Sequence, residues 1–148
     1  MPRMTARHLL AWAATLVVLL ALDTLWLGFV ADGLYQREMG TLMSPDPRLG
    51  VATAFYLLYP IGLLVFAIVP GLRAQGVVRA ALLGGLFGLF CYGTYDLTNL
   101  AVVRGWPLAL SFIDMAWGTL VSGVATGAGA LAWRWHMTRQ RQSPTNKD

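Results

Sequence analysis

Four long apolar runs, each broken by two charged residues at most, occupy most of this chain. Residues 9–30 hold only Asp23, 51–69 hold no charge, 77–103 hold Arg79 and Asp96, and 107–133 hold only Asp114. Crossing ~30 Å of hydrocarbon at 1.5 Å per residue takes roughly 20 residues. The pattern therefore predicts an all-α membrane protein with four transmembrane helices. The connections at 70–76 and 104–106 are short, which predicts antiparallel neighbours in an up-down bundle. The connection at 31–50 is longer. It opens with Asp32-Gly33 and closes with Ser44-Pro45-Asp46-Pro47, which are turn and breaker signals. Between them Leu34, Tyr35, Met39, Leu42 and Met43 fit a short helix at the outer interface, and an irregular loop fits equally well. Residues 1–137 read as a single integral membrane domain and 138–148 as a disordered polar tail.

Composition agrees with this reading. Hydrophobic residues make up 57% of the 148 positions and charged residues 12%, with a mean hydropathy of +0.58; soluble domains carry about 25% charge. The first run follows Arg3 and Arg7 but is longer than the ~7–15 residues of a signal-peptide core, and a retained helix is expected. Basic residues fix the expected orientation. Arg3, Arg7, Arg73, Arg79, Arg134, Arg139, Arg141 and Lys147 fall on one side, against Arg37, Arg48 and Arg104 on the other, which predicts cytoplasmic termini. The net charge of +4 then reflects this bias and anionic lipid, so the bilayer is the expected partner and nucleic acid is not. Cys91 is the sole cysteine, which excludes an intramolecular disulfide. The small-residue pairs Gly84/Gly88, Gly118/Ser122 and Gly123/Gly127 predict close packing of the third and fourth spans but leave the oligomeric state open.

The isolated aspartates are the candidate chemistry. A charged residue near a membrane helix centre costs ~2.5–3.5 kcal/mol or more, and three on separate spans suggest a shared site. Asp23, Asp96 and Asp114 each fall about seven residues from the outer end of their span, or ~10 Å below the rim. Tyr56 and Tyr59 reach a similar level on the second span. Helical spacing adds Tyr92 and Asn99 to the face of Asp96, with Tyr95 flanking, and sets Trp26 beside Asp23 and Trp117 beside Asp114. No base accompanies them in this layer. Close carboxylates therefore require protonation, a bound cation or water.

The segments Asp23-Thr24-Leu25-Trp26-Leu27-Gly28, Phe55-Tyr56-Leu57-Leu58-Tyr59, Tyr92-Gly93-Thr94-Tyr95-Asp96-Leu97-Thr98-Asn99, Trp106-Pro107 and Asp114-Met115-Ala116-Trp117-Gly118 resemble the motifs of a bacterial family of small membrane proteins, domain of unknown function 2177. The resemblance spans roughly residues 23–118 and implies a multi-pass protein of the bacterial inner membrane, without an established activity. Three functions remain open. The outward-facing pocket binds protons, a cation or a small polar or cationic ligand, with aspartates for charge and tryptophans as a cation–π wall. An all-oxygen set suits hard metal ions. Alternatively, an intramembrane enzyme acts on lipid with paired aspartates as acid and base, or the acids only join helices in a scaffold. No haem, zinc or phosphate-loop signature is present, so no cofactor is expected.

Overall fold

A computed structural model describes residues 5–44 and 46–142. Within them the chain is helical, with α1 at Ala6–Leu25, α2 at Asp32–Met39, α3 at Leu49–Leu63, α4 at Val69–Ala74, α5 at Val77–Val102 and α6 at Leu108–Gln142. Four helical stretches are long and apolar enough to cross a membrane: Ala6–Phe29, Leu49–Ala74, Val77–Val102 and Leu108–Gln142. Each includes one of the four apolar runs, or nearly all of it.

The connections differ from expectation in two places. Asp32-Gly33 is not a turn. The chain stays helical from α1 through a π-helical segment, Trp26–Ala31, into α2, and then tightens into a 3-10 turn at Gly40–Leu42. Of the two readings of this connection, the helical one holds. At the other end, α6 runs on to Gln142, so 138–142 are helical where a disordered tail was expected; the rest of that segment lies outside the described residues. Local pairs explain the extension. The Thr138 hydroxyl donates to Arg134 O at 3.1 Å, Gln140 meets His136 at 3.0 Å, and the Arg139 guanidinium lies 4.0 Å from the Trp135 ring centroid. Hydropathy is blind to such i, i+4 contacts.

The second span is interrupted without being broken. Pro60 lies within α3 and has no N–H to offer Tyr56 O. A π-helical segment, Leu64–Ile68, follows and leads into α4. Beyond α4 the chain reverses at Gly76, whose φ of 93° favours glycine, while the N–H groups of Gln75 and Gly76 both donate to Gly71 O.

Close approach between helices comes from small residues, as the sequence predicts for α5 and α6. A Cβ on Gly88 would lie 2.2 Å from Gly118 O, and one on Gly84 would lie 2.1 Å from the Thr126 hydroxyl. The same device joins α6 to α1, where a Cβ on Gly129 would lie 2.1 Å from the Thr15 hydroxyl. Around these contacts pack two buried clusters. One contains Ala11, Leu64, Ile68, Ala80 and Ala130, and the other Leu19, Tyr59, Leu63, Val121 and Ala125. Lipid tails are as apolar as leucine, so dense van der Waals contact rather than hydrophobic burial stabilises such a core. Val17, Leu58, Phe90 and Leu120 remain exposed on its outside.

Candidate functional site

Each aspartate reaches the interior from a different helix. Asp23, near the end of α1, is 7% exposed; Asp114, two turns into α6, is 9% exposed; Asp96 of α5 is 1% exposed. Such burial of carboxylates requires hydrogen-bond partners, and the three differ in how they are supplied.

Asp23 is the best satisfied. One oxygen accepts from the Tyr56 hydroxyl at 3.1 Å and the other from Trp117 Nε1 at 3.0 Å. This carboxylate thereby joins α1, α3 and α6. Trp117 stacks on Trp26 with ring centroids 4.4 Å apart and planes 10° from parallel. Asp114 accepts a hydrogen bond from the Tyr35 hydroxyl of α2. Burial, reinforced by that bond to Asp114, pushes the Tyr35 hydroxyl up from its ordinary value. Tyr35 therefore stays a neutral donor, as the bond requires. Trp26 Nε1 lies near the Tyr35 hydroxyl but has no partner of hydrogen-bonding geometry among the described residues.

Asp96 is the exception. Ser111 is a polar neighbour, but its hydroxyl donates to Pro107 O at 3.3 Å and accepts from Trp106 Nε1 at 3.0 Å. The Asp96 Oδ2 atom has no partner among the described residues. Asp114 lies close enough to repel Asp96 when both are ionised.

Asp23 and Asp114 line one cavity of about 150 Å³, walled by Trp26, Tyr35, Tyr56, Tyr92 and Trp117. Phe55, Tyr92 and Asp114 also border a second cavity of about 280 Å³, which Tyr59, Cys91 and Tyr95 complete. Tyr92 is held by α6, because its ring occupies the space a Cβ on Gly118 would need, 2.2 Å away.

Thus Asp23, Asp114, Tyr56, Tyr92, Trp26 and Trp117 come together around the smaller cavity. Tyr59 bonds Ser122 at 2.7 Å and borders only the larger one. Tyr95 is 52% exposed and stands edge-on to Trp106, with centroids 5.4 Å apart. Asn99 lines neither cavity, and its amide nitrogen donates to Tyr95 O on its own helix at 2.9 Å. Tyr35 is the participant that depth and spacing miss, because it enters from a connection rather than a span. Its one sequence signal is that of a tyrosine on a short amphipathic segment.

Among the described residues, no three His, Cys, Asp or Glu side chains converge to hold a metal ion. Both histidines sit at the far end of the bundle, His8 with its ring centroid 4.6 Å from that of Trp133 and His136 beside Gln140.

The family model "Predicted membrane protein (DUF2177)" matches residues 8–131. The chain belongs to this family. The match covers all three aspartates and every tyrosine and tryptophan around the two cavities. No curated protein and no solved structure matches the chain. DUF2177 membership and the four apolar helices agree on a membrane protein, and its description names no activity.

Proposed function

We propose that this DUF2177 protein binds a small organic cation in the cavity shared by Asp23 and Asp114, facing outward from a bacterial inner membrane. The observation carrying the reading is the pairing of two buried carboxylates with a stacked tryptophan pair and three tyrosines around about 150 Å³. Carboxylates supply charge and aromatic faces supply cation–π attraction, worth ~0.5–2 kcal/mol per contact. Only two carboxylates line the cavity, and among the described residues no third His, Cys, Asp or Glu converges with them, which favours an ammonium-type group over a metal ion. Orientation rests on the excess of arginine at the ends of α1, α4 and α6 and the start of α5. The order of contacts supports the antiparallel arrangement: Asp23 meets Trp117 while Thr15 meets Gly129, and Tyr92 meets Gly118 while Gly84 meets Thr126.

Thermal unfolding in detergent with tetramethylammonium, against tert-butanol as a neutral counterpart at matched ionic strength, tests the reading. A saturable rise in Tm with the cation alone, lost in Asp114→Asn, is expected. No rise, or a rise unchanged in Asp23→Asn and Asp114→Asn, would overturn it.

A second reading has its own support. Asp23 is already bonded by two helices and Asp114 by a third element, as interhelical fasteners would be. In that case each substitution lowers Tm and no cation restores it.

A further inference from the structure

At the end of the bundle away from the acids, α1 and the second span leave a groove of about 850 Å³. Its walls are apolar: Leu9 and Trp12 on one side, Ile61 and Val65 on the other. Arg7 and Arg73 stand at its rim. A smaller cavity of about 270 Å³ adjoins it, bordered by the same two arginines and by Trp133.

No carboxylate is paired with either arginine among the described residues. Among the described residues the acidic side chains of known placement are Asp23, Glu38, Asp46, Asp96 and Asp114, all in or beyond the opposite half of the bundle. Arg7 is also held in place. Its Nε donates to the Thr5 hydroxyl at 3.1 Å, and its guanidinium carbon lies 5.0 Å from the Trp133 ring centroid. A guanidinium fixed in this way loses little freedom on meeting a phosphate, whose geometry its planar fork matches.

We infer that this groove is a binding site for an anionic phospholipid, with the headgroup phosphate on Arg7 and Arg73 and an acyl chain along the apolar walls. Charge complementarity selects this occupant. The rim carries two positive charges and no described negative one, while the walls continue along two helices apolar enough to span a membrane. A zwitterionic phospholipid brings the same phosphate with an ammonium group that the two arginines repel, and a soluble phosphate satisfies the rim alone. This site is independent of the acid-lined cavity.

Native mass spectrometry of the full chain tests it, with phosphatidylglycerol and phosphatidylcholine of identical acyl chains. The intact protein should retain phosphatidylglycerol with about 30-fold preference, as expected for two juxtamembrane charges. The Arg7→Gln/Arg73→Gln variant should lose that preference. Arg79→Gln/Arg139→Gln removes two charges from the same end outside the groove and should keep it. Val65→Trp, at a position already 53% exposed, fills the groove with both arginines intact and should weaken retention of both lipids. Equal retention of the two lipids by the intact protein would overturn the inference. So would a preference that survives Arg7→Gln/Arg73→Gln, or an equal loss in Arg79→Gln/Arg139→Gln, which would indicate diffuse attraction to the surface. Full displacement of phosphatidylglycerol by inorganic phosphate would show that the chain-binding walls contribute nothing and would overturn it as well.

Discussion

The glycines divide the molecule into two regions. Through the middle of the bundle and toward the arginine-rich end, Gly71, Gly84, Gly88 and Gly129 lie where an added Cβ would fall within 2.1–2.3 Å of a neighbour. At the acid-bearing end, Gly28, Gly33, Gly50 and Gly105 have nothing within 4 Å of that position. One region holds together by close small-residue contacts, the other by a few hydrogen bonds to carboxylates. Contact density across a membrane bundle is thus not uniform, and the buried carboxylates lie where small-residue packing thins. That division is consistent with the general rule that sites of function come from the less stable parts of a fold.

Substitutions can break this contrast. The largest effect is expected for Gly88→Val, which drives a branched side chain into the Gly118 carbonyl and should cost about 3 kcal/mol or prevent folding. Gly28→Ala should change stability by less than about 0.5 kcal/mol. Thermal unfolding in a single detergent compares the two, and similar values would erase the distinction between regions. Next is Asp23→Ala, which leaves the Tyr56 and Trp117 donors unpaired and should cost about 1–3 kcal/mol. Asp23→Asn retains one acceptor and should recover part of the loss.

Tyr35→Phe should have a smaller effect, ~0.6–1.7 kcal/mol for one membrane hydrogen bond. Amide exchange should rise in α2 and remain unchanged at the α5–α6 contact. Exchange rising equally in both would show that the two regions are a single cooperative unit. The smallest change is expected for Asp96→Asn. An unpartnered Oδ2 contributes no bond to lose, so stability should stay within about 0.5 kcal/mol. A larger loss would reveal a partner for that oxygen.

Much of the architecture was legible in hydropathy. Helices that span lipid must be apolar for about 20 residues, and that requirement writes four runs into the chain. The α5–α6 contact was legible because only small residues permit it. The site was legible in part. Depth along a helix follows from counting, which grouped Asp23, Asp114, Tyr56, Tyr92 and Trp117. Direction around a helix depends on how its neighbours are rotated, and counting does not supply it. Asn99 therefore shared a predicted face with Asp96 yet bonds its own backbone. The π-helical segments were hidden because a shift from i+4 to i+5 bonding leaves no compositional trace. Tyr35 was hidden because a connecting segment's side chains carry no depth.

The Tyr92 ring seated against Gly118 also constrains motion. One residue of sliding between α5 and α6 is a step of ~1.5 Å, enough to push the ring into the backbone it now touches. These two helices therefore act as a fixed rail. The other walls of the acid-lined cavity come from α1, α2 and α3, and at that level they are tied to the rail by the bonds from Tyr35 to Asp114 and from Asp23 and Tyr59 to α6.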